Sequence, residues 1–165
     1  MNEAETVPRC QCLVLACGNT LRGDDGVGWE LARIAAELDP GAKIIPSAQW
    51  TPELAEFISE ARAVLFLDCA ADSEPGLVQL RTVAPSTELP RLFTHQLSPA
   101  DLLAISRDLY QTIPQCALLL TVGAANLELG EHLSDPVLAA LPAARQKIRE
   151  ALTLCSSAAE PETKQ

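Results

Sequence analysis

The stretch Cys12-Leu13-Val14-Leu15-Ala16-Cys17-Gly18-Asn19-Thr20-Leu21-Arg22-Gly23-Asp24-Asp25-Gly26-Val27-Gly28 decides the fold. Its first six residues are an unbroken apolar run closed by a glycine, the pattern of a short strand buried on both faces. Beyond the loop, Val27, Leu31, Ile34, Ala35 and Leu38 recur at helical spacing. Glu30, Arg33 and Glu37 fall on the opposite side, where they can pair along the helix. Asp39-Pro40-Gly41 stops it. A buried strand, a glycine-rich turn and an amphipathic helix form the opening unit of a parallel α/β sheet.

Working outward, Ala42-Lys43-Ile44-Ile45 reads as a second strand. Thr51-Pro52 reads as a cap followed by proline in the first helical turn, with Leu54, Phe57 and Ile58 as the apolar face. Ala63-Val64-Leu65-Phe66-Leu67 is a third, fully apolar strand ending at Asp68. Only a short loop containing Pro75-Gly76 separates it from residues 77–83. That connection is too short for a parallel crossover, so the next strand runs antiparallel, and Gln79 and Arg81 suit a sheet edge. Ser98-Pro99-Ala100-Asp101 carries a capping-box pattern and opens a helix with Leu102, Ile105 and Leu109 on its buried side. Residues 117–122 form the last strand, closed by Gly123. The final helix starts near Asp135-Pro136 and carries Leu141, Ile148 and Leu152, and Pro142 within it predicts a kink or a restart. The expected fold is a three-layer α/β/α sandwich on a mostly parallel five-stranded sheet with one antiparallel edge strand. It forms one domain over residues 11–155, with flexible polar tails at 1–10 and 156–165.

Of the 165 residues, 48% are hydrophobic and 21% charged, ordinary for a globular chain. Twelve Lys and Arg against 22 Asp and Glu leave a net charge of −10. This balance repels phosphate polymers and anionic lipid, so nucleic-acid and membrane-surface roles are disfavoured. No apolar run approaches the length of a membrane span, and the acidic N-terminus lacks the apolar segment of a signal peptide. The expectation is a cytoplasmic monomer with reduced thiols. The six cysteines include no Cys-x-x-Cys pair, which argues against a structural zinc knuckle.

The glycines of the 18–28 loop invite a phosphate-binding reading, but neither the P-loop Lys-Ser/Thr nor a Gly-x-Gly-x-x-Gly fingerprint is present. A phosphate loop offers bare N–H groups at a helix N-terminus, whereas Asp24 and Asp25 would repel an anion and attract a cation. Consecutive helical residues point about 100° apart, so Asp24 is expected to cap the helix and Asp25 to face the cleft. Asp68 ends an apolar strand at the same edge, and His95 precedes the third helix. His132, near a polar turn, reads as a surface residue. Asp25, Asp68 and His95 could converge as three N/O ligands with open positions, suited to nickel or zinc.

At these residues the chain resembles the hydrogenase maturation endopeptidases, which trim the C-terminal extension from the large-subunit precursor of nickel–iron hydrogenases. The resemblance spans residues 12–152 and rests on the 18–28 loop, Leu67-Asp68-Cys69-Ala70, Thr94-His95-Gln96-Leu97-Ser98-Pro99 and Gly123-Ala124-Ala125-Asn126-Leu127-Glu128. It implies that Asp25, Asp68 and His95 hold a nickel ion carried by the substrate, which another divalent metal could replace in isolation. Gly18, Asn19 and Asp24 would then belong to the substrate loop. Where some members carry a Gly-Gly pair before the second helix, this chain reads Ser47-Ala48-Gln49-Trp50-Thr51-Pro52. Two nucleophiles stay open: water activated at the metal with a carboxylate as base, or a thiolate of Cys17 or Cys69 with His95 as base. The alternative function is a maturation factor that binds nickel or the precursor without cutting.

Overall fold

Strand β1 (Cys10–Cys17) lies inside a sheet, hydrogen-bonded in parallel to β2 (Lys43–Ser47) on one side and to β3 (Ala61–Ala70) on the other. The computed structural model describes residues 10–88 and 97–159. Beyond β3 comes β5 (Cys116–Gly123), also parallel, and then β4 (Val78–Thr82), antiparallel at the edge. The order β2-β1-β3-β5-β4 is the expected mostly parallel five-stranded sheet, with its one reversed strand where the short connection demanded it.

Two hydrophobic clusters sandwich the sheet. Val14 and Ala16 of β1 and Leu65 and Leu67 of β3 face α1 (Val27–Leu38) and α4 (Asp135–Ala159). The alternate residues Leu13, Leu15, Val64 and Phe66 face α2 (Leu54–Ser59) and α3 (Pro99–Tyr110). Both faces of the central strands are covered, which is why those strands read as continuous apolar runs rather than alternating ones. Each fully buried leucine or isoleucine contributes roughly 1.5–3 kcal/mol by leaving water.

Local sequence signals predict some element ends well. Ser98 accepts a hydrogen bond from the Asp101 amide while Asp101 accepts one from the Ser98 amide, the full capping box. Arg33 pairs with both Glu30 and Glu37 along α1. Other ends differ from expectation. Thr51 is not the cap of α2: residues 52–53 form a preceding turn, and Glu53 occupies the cap position with no side-chain cap bond. Leu109 is 72% exposed rather than buried, because the last turn of α3 overhangs the core and residues 107–110 all keep contact with solvent. The final helix does not restart at Pro142 but runs unbroken to Ala159, so residues 156–159 belong to it rather than to a tail. Among the described residues no helix is long and apolar enough to cross a membrane.

The chain leaves β1 through α1 to β2 on one side and returns through α2 to β3 on the other. Between β1 and β3 the winding therefore reverses. In open α/β sheets the crevice outside the carboxyl ends of two such strands is where ligands bind.

Candidate functional site

At the carboxyl end of β1, the chain turns through Gly18 so tightly that a Cβ there would lie 1.9 Å from the Asp25 carbonyl oxygen. Gly28 is equally constrained: a Cβ would stand 2.0 Å from the Cys17 carbonyl, so only glycine lets α1 start directly against the strand. The Gly18 amide donates to the Ser47 carbonyl, and its own carbonyl accepts from the Trp29 indole at 2.8 Å. These contacts fix the loop and aim Asp25 at the crevice.

The two adjacent aspartates have separate tasks, as expected, but Asp24 does not cap a helix. Neither the 3-10 turn Gly23–Gly26 nor α1 has a side-chain cap bond. The Asp24 carboxylate is fully buried and instead accepts from the amides of Ala125, Asn126 and Ser134, and from the Ser134 hydroxyl, at 2.7–2.8 Å. Burial pushes its pKa up, yet these donors together outweigh that and hold it below the ordinary carboxylate value. Asp24 therefore fastens the loop after β5 and the approach to α4 onto the end of β1. The acceptors of Asp24 are thus engaged inside the protein, whereas Asn19 of the same loop is half-exposed.

Asp25 is half-buried, and one carboxylate oxygen accepts from the Asn19 amide at 3.0 Å. Asp68 sits within β3, which continues to Ala70, rather than after the strand's end as expected. The last β1–β3 pair is Ala16 with Leu67, so Cys17 and Asp68 come next, side by side at the crevice. Asp68 shares the sheet face of Phe66, and there the Trp50 indole donates to it at 3.2 Å while the Cys69 amide donates at 2.8 Å. Trp50 is 5% exposed and packs edge-on against Phe66, with ring centroids 5.6 Å apart. Burial raises the Asp68 pKa to about 6, opposed by those two donors and reinforced by the charge of Asp25.

The two thiols of the crevice feel the same field. Burial first, then the charges of Asp68 and Asp25, raise Cys17 to about 12. Cys69 reaches about 12 through burial and the charges of Asp25, Asp68 and Asp24. Both are protonated thiols at neutral pH. The negative potential of Asp25 and Asp68 thus reaches Cys17 on the α2/α3 face of the sheet and Cys69 on the α1/α4 face. His95 lies outside the described residues, and among those described no group of three His, Cys, Asp or Glu side chains could hold a metal ion. His132 is exposed, as expected.

In the sequence, Trp50 stands out only as part of the departure from a Gly-Gly pair. Its role as the donor to Asp68 depends on β2 and β3 being placed on opposite sides of β1, which no local pattern reports. The available signal was a tryptophan in the segment between a strand and a helix on the carboxyl side of the sheet.

Solved structures of this fold bear out the resemblance drawn from the loop and from Leu67-Asp68. The hydrogenase maturating endopeptidase HybD from E. coli matches 87% of this chain and 92% of its own, with TM-score 0.71 and 24% identity. The [NiFe] hydrogenase maturation protease HybD from Thermococcus kodakarensis matches 84% and 97%, with TM-score 0.63 and 22% identity. A hydrogenase 2 maturation peptidase from a Thaumarchaeota archaeon matches 87% and 98%, with TM-score 0.62 and 25% identity. No protein-family model and no curated protein matches the sequence.

Proposed function

We propose that this chain is an endopeptidase that removes the C-terminal extension from the large-subunit precursor of a nickel–iron hydrogenase once nickel has been inserted. The observation that carries this reading is Asp68 at the crevice: burial raises its pKa to about 6 and the neighbouring charge of Asp25 adds to the rise, so a cation brought to the pair stabilises the ionised Asp68. The nickel of the substrate is that cation, held by Asp25, Asp68 and His95. Fold likeness to the maturation proteases supports the reaction class.

Water is the attacking group in this reading. Cys17 and Cys69, near 12, are poor thiolates at neutral pH. A carboxylate raised toward neutrality is suited to take a proton from water and return it to the leaving amine. Docking of the metal positions the scissile bond, so a precursor without nickel lacks its handle and stays uncut. Purified protein mixed with nickel-loaded and nickel-free precursor tests this by the mass of the large subunit. Loss of the extension only with nickel is expected; an unchanged mass in both would instead mark a factor that holds the precursor without cutting.

A further inference from the structure

The peptide group between Gly18 and Asn19 is hydrogen-bonded at both ends. Its carbonyl oxygen, on Gly18, accepts from the indole N–H of Trp29 at 2.8 Å. Its N–H, on Asn19, donates to a carboxylate oxygen of Asp25 at 3.0 Å. A trans peptide is planar, with its C=O and N–H directed oppositely. Whatever fixes the carbonyl therefore fixes the direction of the N–H. The Trp29 indole and the Asp25 carboxylate stand at opposite ends of one rigid plane, and the two bonds polarise each other.

Trp29 is not held there as a core residue. It is the third residue of α1 and 40% exposed, whereas Val27, Leu31, Ile34 and Ala35 form the buried stripe of that helix. Its indole reaches the loop because Gly28 lets α1 start directly against β1. The turn beyond Asn19 is held separately. The Asn19 side-chain oxygen accepts from the Leu21 amide at 2.9 Å, and the Asn19 carbonyl accepts from the Arg22 amide at 3.1 Å. Those bonds set the backbone after Asn19 and leave the plane before it to Trp29. Gly18 has no Cβ to oppose rotation of that plane. Turned over, it would aim a carbonyl oxygen at the Asp25 carboxylate in place of an N–H.

We propose that Trp29 is a positioning residue for Asp25: through the 18–19 peptide, its indole N–H holds the carboxylate in the orientation that receives the substrate's cation, a role that rests on the proposed peptidase reaction. Each acid of the crevice is then served by an indole, Asp68 directly by Trp50 and Asp25 through one peptide group by Trp29. Loss of the Trp29 N–H leaves Asp68 and its own donors in place, so it weakens docking of the metal more than the chemical step.

Two replacements separate the N–H from the bulk of the ring. Trp29→Phe keeps an aromatic side chain and removes the donor. Trp29→His discards the benzene half of the indole but can keep an N–H at the same place in the five-membered ring. Amide hydrogen exchange of the full-length protein at about pH 7.5, where an imidazole is mostly neutral, reads the geometry without substrate. In Trp29→Phe the Asn19 amide should exchange about tenfold faster, while the Gly18 amide, bonded to the Ser47 carbonyl, is unchanged. On nickel-loaded precursor the same variant should raise KM about three- to tenfold and leave kcat within about twofold. Trp29→His should lie nearer the wild type in both measurements. An Asn19 amide that keeps its protection in Trp29→Phe, a wild-type KM once that amide has loosened, or a His variant no better than the Phe variant would overturn the assignment. A wild-type protein that leaves every precursor uncut would sink the peptidase reading instead. The exchange rates then still decide the geometry, and the dissociation constant for nickel-loaded precursor replaces KM.

Discussion

Asp24 and Asp68 are acidic side chains at the same edge of the same sheet, and their surroundings drive them in opposite directions. Asp24 is fully buried, yet four donors converge on it and keep it charged. Asp68 is less buried, yet it has two donors, a like-charged neighbour in Asp25 and a pKa raised to about 6. A carboxylate whose acceptors are all satisfied by its own chain holds the fold together. A carboxylate left short of partners beside another negative charge is available to a ligand. The depth of burial does not separate the two; the count and sign of their neighbours does.

The largest expected effect breaks the structural half of that contrast. Asp24→Ala leaves buried amides of Ala125, Asn126 and Ser134 without an acceptor and should cost about 3–5 kcal/mol of unfolding free energy. Urea denaturation checks it, and a loss below about 1 kcal/mol would mean that the loops do not depend on this carboxylate.

Asp68→Asn should act the other way. It should abolish processing of nickel-loaded precursor, yet raise stability at pH 7 by about 1–2 kcal/mol, because a charge that the fold disfavours is gone. Mass analysis of the precursor and urea melts read the two effects. Retained processing would remove Asp68 from the site. His95→Ala should also abolish processing while the protein remains folded.

The pH dependence follows from the same shift. Asp68 must be ionised to hold a cation, so processing should fall about tenfold per unit as pH drops below 6. Its contribution to stability runs in the reverse sense. With the folded value raised above the ordinary one, that contribution is complete below the unfolded pKa of about 3.9 and is lost as pH rises through 6. A rate profile flat from pH 7 to 5 would contradict the role given to this carboxylate.

The smallest effect concerns Trp50. Trp50→Phe keeps an aromatic ring against Phe66 but removes the indole N–H from Asp68, and should move the acid limb of the rate profile up by about half a unit to one unit. A profile that stays in place while stability falls would make Trp50 a packing residue alone.

Much of the fold was legible because its signals are short-ranged. The apolar runs of β1, β3 and β5, the stripe of α1 and the Ser98–Asp101 box each depend on residues a few positions apart. The reversal of β4 followed from a loop too short to cross the sheet. The candidate site was legible in part: Asp25 stands out as an acid in the loop after β1 and Asp68 as an acid near the end of the apolar run of β3.

Sequence by itself determined the layered α/β class, the strand that reverses and the acidic character of the loop after β1, because backbone propensity and burial periodicity are written within a few residues. Tertiary structure alone decided which aspartate would be structural. Ser134 lies 110 residues from Asp24, and Trp50 lies 18 from Asp68, on the far side of β1 from its partner strand. Hydrogen bonds of that span exist only once the strands have taken their order in the sheet. A local reading therefore gave Asp24 the nearest helix to cap, while the folded chain offered it four better donors.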